Sequence, residues 1–259
     1  MQNGRPSGDA PPPRRDRAPI PCELCPLRQL PVFRALSPEE LAFMHSFKRG
    51  ELVVDPGATI LLVASASPHL YTVLEGWAFR HKQIEDGRRQ VLNFALPGDL
   101  IGLQLAIMNE MQHTVTALTR TRLCVFQRDK VWSVFTDHAA LGFAMTWAAA
   151  REEQLLDGHL LSVGQRRAVE RVAYLILHLY ERAEGVGYAG NDALQAPFSR
   201  AHFADALGIT PVHLSRTLRR LSERELVRWR DESLVIVNRP ELERIASYER
   251  VEGARRPLI

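Results

Sequence analysis

Between residues 52 and 126 the hydrophobic positions form short apolar runs that recur about every eight to twelve residues. Turn-forming residues separate the runs, for example at Pro56-Gly57, Asp86-Gly87 and Pro97-Gly98-Asp99. An Asp-Gly pair between two apolar runs is a strong signal for a β-hairpin. The pattern therefore predicts an all-β unit of many short strands, a barrel or jelly roll.

Beyond this unit the apolar positions change to the three- and four-residue steps of helices. One long stretch has this spacing at Leu141, Met145, Ala148, Leu155 and Leu156. We expect this long helix either to form the seam of a dimer, which the sequence favours, or to pack on the β-unit of its own chain. A second helix is predicted over residues 166–182.

Residues 198–221 contain two shorter helical patterns joined by a tight turn. The first ends at Gly208, and glycine tolerates the left-handed backbone that follows a helix. Thr210 is a good N-cap for the second helix, and Pro211 suits its first position. The leucines of the second helix fall on one side, at Leu214, Leu218 and Leu221. The pattern predicts a helix-turn-helix.

The other side of the second helix is polar and cationic. Between residues 198 and 230 there are seven arginines and three acidic residues, a net charge of +4, whereas the whole chain carries +3. Concentrated positive charge is typical of a surface that binds phosphates, and it argues against an ordinary helical hairpin with a solvated face. Two short β-runs over 226–230 and 234–237 then predict a wing, and hence a DNA-binding winged helix.

Composition narrows the class of protein. The chain has 259 residues, enough for two domains, and is 46% hydrophobic and 24% charged, as in soluble globular proteins. No apolar run approaches the roughly 18 residues that span a bilayer, and the N-terminus lacks the apolar segment of a signal peptide. We therefore expect a cytoplasmic protein with no membrane partner. No nucleophile–base constellation, phosphate loop or metal triad indicates an enzyme.

The order of β-unit, long helix and winged helix resembles the Crp/Fnr family of bacterial transcription regulators. The resemblance covers about residues 20–248 and is carried by LYTVLEGW (70–77), EDGRRQVLNFALPGDLIG (85–102) and ADALGITPVHLSR (204–216). It implies an α+β protein that binds a palindromic double-stranded DNA site as a homodimer and contacts RNA polymerase. The domains expected are a disordered tail (1–20), a jelly-roll sensor domain of the cyclic-nucleotide-binding type (21–136), a dimerisation helix (137–163), a winged helix-turn-helix (164–249) and a C-terminal tail (250–259).

The resemblance also implies roles within the second helix of the helix-turn-helix. By position, the residues that meet base edges are Val212, His213, Ser215 and Arg216. Arg216 suits a bidentate contact to guanine. Val212 stands where many relatives carry a glutamate, and it can offer only apolar contact. The predicted DNA-binding set is completed by Thr210, Arg219 and Arg220.

Residues 98–118 depart from the relatives that bind cAMP. Those relatives have a Glu soon after the Pro-Gly-Asp turn and an Arg-Ser pair that holds the cyclic phosphate. This stretch contains no arginine and has Gln112, His113 and Thr114 at the place of the pair. A neutral histidine cannot replace a bidentate guanidinium, so the sequence argues against cAMP. The alternatives are a barrel that senses a small molecule, a haem with His81 or His113 as axial ligand, or no ligand.

The cysteines suggest a different signal. Cys22, Cys25 and Cys124 match three of the four positions that hold a [4Fe–4S] cluster in oxygen-sensing Fnr-type members, whereas Pro31 stands at the fourth. The resemblance therefore implies a redox- or oxygen-responsive cluster whose fourth ligand is an acid, a histidine or solvent. Three free thiols are one alternative, since buried cysteine is a common small hydrophobe. A zinc site is another, and it also needs a fourth ligand.

Overall fold

In the computed structural model, which describes residues 19–250 and 255–259, the first half of the chain forms two β-sheets. Their strands are β1 (Lys48–Val54), β2 (Thr59–Leu61), β3 (His69–Glu75), β4 (Ala78–Gln83), β5 (Arg89–Ala95), β6 (Leu100–Ile101), β7 (Thr114–Ala117) and β8 (Thr121–Gln127). One sheet has the order β1-β8-β3-β6 and the other the order β2-β7-β4-β5, with antiparallel neighbours. Since most consecutive strands lie in different sheets, the arrangement is the jelly roll that the short apolar runs predict.

The two sheets share an apolar core between them. Alternate residues of the strands face it, because successive side chains of a strand point to opposite faces. The core contains Leu61, Tyr71, Val73, Ala78, Ala95, Ile101, Val115 and Leu123. The hairpin between β4 and β5 turns at Asp86-Gly87, where Gly87 has a φ of 89°. The sequence prediction for this turn is confirmed.

Short helices surround the sheets: α1 (Pro38–Phe47), α2 (Leu103–Met108) and α3 (Val131–Asp137). A capping box starts α1, because Ser37 and Glu40 each accept a hydrogen bond from the other's backbone N–H. Two 3₁₀ helices, Cys22–Leu24 and Pro26–Gln29, precede it. The predicted disordered tail over 1–20 lies outside the described residues, apart from Pro19 and Ile20.

The long helix α4 spans Ala139–Gln165. Leu141 and Met145, which the sequence assigned to a dimer seam, are fully buried in the core of their own chain, so that assignment is wrong for these two residues. The exposed apolar side chains of α4 are Phe143, Leu156, Leu160 and Leu161. The first turns of α4 thus anchor it to its own chain, and its second half presents leucines to solvent.

The second half of the chain forms a winged helix. Its elements are α5 (Ala168–Gly185), β9 (Ala189–Gly190), β10 (Ala193–Gln195), α6 (Arg200–Leu207), α7 (Pro211–Glu223), β11 (Val227–Arg230), β12 (Ser233–Ile236) and α8 (Arg239–Ala246). The strands form one sheet in the order β11-β12-β10-β9. The predicted architecture of jelly roll, long helix and winged helix-turn-helix is confirmed, and the sequence missed β9 and β10.

The two halves touch along β5 and α6. Arg89 donates to Asp205 Oδ2 through Nε at 2.9 Å and Nη2 at 2.7 Å. The ring of Phe198 lies 5.1 Å from that of Phe94 and 5.9 Å from that of Trp77. The winged helix is therefore held against the jelly roll by an ion pair and an aromatic cluster.

Residues 255–259 lie against the N-terminal part of the chain. Arg256 pairs with Phe33 in an isolated parallel β-bridge, and Leu258 and Ile259 are buried. These residues belong to the predicted C-terminal tail (250–259), of which residues 251–254 lie outside the described part of the chain. Sequence patterns alone contained no signal for this packing.

Candidate DNA interface and sensor cavities

The helix-turn-helix has the local geometry that its sequence predicts. Gly208 ends α6 with a φ of 64°, in the left-handed region. The side chain of Thr210 accepts a hydrogen bond from the backbone N–H of His213 at 3.2 Å, and Pro211 occupies the first turn of α7. The three leucines of α7 are buried against the rest of the winged helix. The opposite face of α7 is consequently fixed toward solvent.

That exposed face carries the residues predicted to contact DNA. Val212 is 62% exposed, and His213, Ser215 and Arg216 are also exposed. The Ser215 hydroxyl donates to Pro211 O at 2.9 Å, which leaves its oxygen lone pairs available as acceptors. Within the described residues Arg216 forms no ion pair, so its guanidinium is available for an outside acceptor.

The remaining arginines of the surface differ in their partners. Arg219 donates to Glu223 at 2.8 Å, in a pair whose side chains are both largely exposed. Such a pair contributes little to stability, and Arg219 can exchange Glu223 for a phosphate at small cost. Arg220 is exposed and has no ion pair among residues 19–250 and 255–259. The structure thus keeps both of these predicted DNA-binding arginines accessible.

The wing adds cationic residues that the predicted set omits. Arg228 and Arg230 alternate along β11 with Trp229, and both arginines are exposed. Trp229 instead packs against Phe203, with ring centroids 5.2 Å apart, and the guanidinium of Arg200 lies 5.0 Å from its ring. The period-two alternation of Arg-Trp-Arg was the sequence signal for this arrangement.

A cavity of about 1200 Å³ lies between the jelly roll, α4 and α5. His113 and Leu103 line it, and Arg80 reaches it from β4. Arg80 forms an ion pair with Glu152 of α4 and donates to Leu100 O at 2.8 Å. Arg80 is therefore already paired, and the other arginines that line the cavity are Arg151, Arg182, Arg250 and Arg256.

The two histidines considered as haem ligands have different surroundings. His113 is buried and lines the cavity, and burial, followed by the charge of Arg80, lowers its pKa to about 4. It is consequently neutral at pH 7. His81 is absent from the cavity lining, and its Nε2 lies 3.1 Å from Thr116 Oγ1. Of these two, His113 is the one that a ligand in the cavity would meet, and His178 of α5 also lines the cavity.

Asp99, in the turn between β5 and β6, joins the jelly roll to the winged helix. Its Oδ2 accepts from Arg182 of α5 at 2.5 Å, and its Oδ1 accepts from Arg256 at 2.6 Å. Arg182 also donates to Asn93 Oδ1 and Phe94 O, each at 2.8 Å. Burial alone would raise the pKa of Asp99, but Arg182 and then Arg256 outweigh it and lower the pKa to about 2. The carboxylate is thus charged and doubly paired at neutral pH.

The three cysteines line one cavity. That cavity measures about 20 Å³, which is the space of roughly one water molecule, and Leu258 and Ile259 also line it. Burial raises the pKa of Cys22, and raises that of Cys124 to about 12, so these groups are thiols rather than thiolates. Cluster ligands are thiolates, normally four of them.

A cavity of this size therefore does not fit a four-iron cluster in this arrangement. In residues 19–250 and 255–259, no group of three or more His, Cys, Asp or Glu side chains is placed to hold a metal ion. The Lys48 ammonium beside the thiols is engaged by Glu51 Oε1 and Ile20 O, each at 2.6 Å. Three buried free cysteines around one small cavity are what the geometry provides.

None of the helices within the described residues is long and apolar enough to cross a membrane.

Comparison with known proteins follows the two halves of the structure. A model described as a cyclic nucleotide-binding domain matches residues 46–138, and one described as a Crp-like helix-turn-helix domain matches residues 170–245. The chain is 33% identical over 186 residues to the nitrogen fixation regulation protein FixK of Rhizobium meliloti (strain 1021), which is 72% of this chain and 82% of that protein.

Two further similarities agree with these matches. The transcriptional activator protein FnrL of Cereibacter sphaeroides is 26% identical over 225 residues, covering 83% of this chain and 87% of that protein. The solved structure of FixK2 from Bradyrhizobium japonicum has the same fold, with a TM-score of 0.70 over 77% of this chain and 98% of that chain, at 24% identity.

Proposed function

This chain belongs to the Crp/Fnr family of DNA-binding transcription regulators, and on that premise we propose that it binds a two-fold symmetric DNA site as a homodimer through the exposed face of α7. The observation that carries the proposal is the geometry of α7. Its leucines are buried, the side chain of Thr210 caps its N-terminus, and its polar and cationic residues face solvent. A helix held in this way can enter the major groove with its N-terminal residues at the base edges.

Four residues at the start of α7 are proposed to determine sequence preference. Arg216 would donate to the O6 and N7 of a guanine, the commonest specific contact in the major groove. His213, about one helical turn before Arg216, and Ser215, the residue next to it, supply further polar groups. Val212 offers a methyl surface suited to the C5-methyl of thymine, so the base pair that faces it is expected to differ from the one preferred by relatives with a glutamate there.

Arg219 and Arg220 are proposed to contact phosphates, together with Arg228 and Arg230 of the wing. Contacts to phosphate position the protein on the duplex and carry no base information. They release counterions, so each contact that is lost should reduce the salt dependence of binding. The exposure of all four side chains supports this role.

The second half of α4 is proposed as the dimer seam. Leu156, Leu160 and Leu161 are 43%, 72% and 53% exposed in the single chain. Leu156 and Leu160 are one helical turn apart and lie on the same face. Pairing this face with that of a second chain would remove the leucines from water and bring two winged helices to half-sites about 34 Å apart.

The transcriptional partner is proposed from the family resemblance, and the signal is proposed from the cavity next to the jelly roll. RNA polymerase is proposed as a partner by family resemblance. The 1200 Å³ cavity supports a small-molecule ligand whose contacts include Glu152 and Arg80, and these two side chains already pair across it. The resemblance implies a redox response through a [4Fe–4S] cluster at Cys22, Cys25 and Cys124, but the cavity that these residues line has no room for the cluster, so we propose no step through it.

Selection of binding sites from random DNA tests the proposal. Arg216→Ala should weaken binding by about 1–3 kcal/mol, roughly 5- to 150-fold, and should relax preference at one base position in each half-site. The matched control is Arg49→Ala, which removes the same charge from an exposed position of the sensor domain. If Arg216→Ala keeps the base preference of the parent, α7 does not read DNA through this residue.

A further inference from the structure

The jelly-roll domain carries a groove that is filled by residues 256–259 of the same chain. The backbone N–H of Arg256 donates to Val32 O, and the backbone N–H of Arg34 donates to Arg256 O, each at 2.7 Å. The Thr72 hydroxyl of β3 donates to Ile259 O at 2.5 Å. Leu258 and Ile259 are 3% and 6% exposed. Backbone pairing and apolar burial together are the pattern of an extended peptide bound to a domain.

The floor of the groove is shaped to receive Arg256. Gly98 has a φ of 88°, and a Cβ at this position would lie 2.2 Å from the ring of Phe33. The absent side chain thus lets Phe33 lie directly on the turn that presents Asp99. The guanidinium of Arg256 then lies 5.4 Å from the ring of Phe33 and donates to Asp99 at 2.6 Å. Phe33 and Asp99 therefore hold one guanidinium by a cation–π contact and an ion pair.

The same carboxylate holds the winged helix. Asp99 uses one oxygen for Arg256 and the other for Arg182 of α5. The side chains of Asp99 and Arg182 are only 5% and 7% exposed. Salt and water screen the interaction between buried charges less than that between surface charges. Loss of one arginine therefore changes the strength of the ion pair between Asp99 and the other arginine.

We propose that residues 256–259 act as a clasp, bound in this groove, that fixes the orientation of the winged helix relative to the sensor domain through Asp99 and Arg182. The clasp does not mask the DNA interface, because the predicted base-reading residues of α7 remain exposed while it is bound. It therefore favours one placement of the DNA-binding domain rather than hiding it. Leu258 and Ile259 close the cysteine cavity as part of the same contact.

The first test uses the three cysteines as reporters. In a variant that lacks residues 255–259, alkylation of the native protein by iodoacetamide should become at least about tenfold faster, since an opening equilibrium shifted by about 1.4 kcal/mol changes the open population tenfold. Amide exchange should also accelerate at residues 32–34. A synthetic peptide with the sequence of residues 255–259, added in trans, should restore both protections. A peptide with alanine in place of the second arginine should not.

The second test uses the full chain and two adjacent arginines. Arg256→Ala should accelerate amide exchange at residues 96–99 and reduce affinity for the selected DNA site by about 5- to 150-fold, the usual range for coupling between sites. Arg255→Ala removes the same charge from an exposed neighbour and should do neither. Affinity for non-specific DNA should change little, because the basic surface of the winged helix is intact.

The outcomes separate the parts of the proposal. If deletion leaves alkylation and exchange at parental rates, or if the peptide gives no protection, the groove is not a binding site. If protection changes but Arg256→Ala binds selected DNA like the parent, the coupling to the winged helix is wrong. Should the deletion variant fail to fold, which circular dichroism would show, Arg256→Ala and Leu258→Ala decide both points. The alkylation and exchange results do not depend on the proposed DNA site.

Discussion

The buried carboxylate of Asp99 offers the sharpest energetic prediction. Asp99→Asn keeps the size of the side chain and an oxygen for the backbone N–H of Leu96, which donates to Asp99 at 2.8 Å, but it removes the charge. Arg182, whose side chain is 7% exposed, then loses its ion-pair partner. An unpaired buried charge is costly, and breaking a buried pair typically costs about 3–5 kcal/mol.

The pKa of Asp99 supplies a second route to the magnitude. It falls from an ordinary value of 3.8 to about 2, which corresponds to about 2 kcal/mol of stabilisation by the charged form. Because the folded-state pKa is the lower one, this stabilisation is complete above pH 3.8 and is lost as the pH falls toward 2. We therefore expect Asp99→Asn to lower the free energy of unfolding by about 2–5 kcal/mol at pH 7 and by progressively less below pH 4.

Urea denaturation checks this prediction. Tryptophan fluorescence and far-ultraviolet circular dichroism should be followed together, since a chain with two domains need not unfold in one step. The control is Asp86→Asn, which removes an exposed carboxylate paired with Arg88 and should change stability by less than about 0.5 kcal/mol. The reasoning is refuted if the two variants are equally stable at pH 7, or if the deficit of Asp99→Asn stays constant between pH 7 and pH 3.

Two further predictions concern assembly and the cysteine cavity. Leu160→Glu should give folded monomers that lose specific DNA binding, and Gln154→Glu is the control for this variant. Met145→Glu should instead unfold the chain, because it buries a charge in the core. A stable Leu160→Glu dimer in sedimentation would exclude the second half of α4 as the dimer seam. Protein purified without air should be colourless and contain no stoichiometric iron or sulfide, since the cavity at Cys124 has no room for a cluster. A brown product with four iron atoms per chain would show that the residues around the three cysteines rearrange to bind a cluster.

Local sequence signals determined the elements of the DNA-binding half. Gly208, Thr210 and Pro211 each act within a few residues, through backbone conformation or a capping hydrogen bond, so their effect can be predicted without knowing the fold. The buried leucines of α7 follow from helical periodicity in the same way. The exposure of the polar face of α7 was therefore predictable, and the net charge of +4 over residues 198–230 indicated a phosphate-bearing partner.

Periodicity could not decide which helix face meets which neighbour. Leu141 and Met145 have the same spacing as the exposed leucines of α4, but only the position of the jelly roll buries the first pair. This distinction arises from packing between elements, which a one-dimensional pattern does not contain.

Contacts between distant segments were decided by the tertiary structure alone. Asp99, Arg182 and Arg256 are far apart in sequence and none belongs to a motif that predicts the others, yet folding brings three unlike parts of the chain to one carboxylate. The three cysteines show the converse case. The family resemblance implied a cluster, but the size of the cavity depends on Leu258 and Ile259, residues that no local pattern connects with the cysteines. Sequence determined which groups are present, and only the fold determined how much space and which charges surround them.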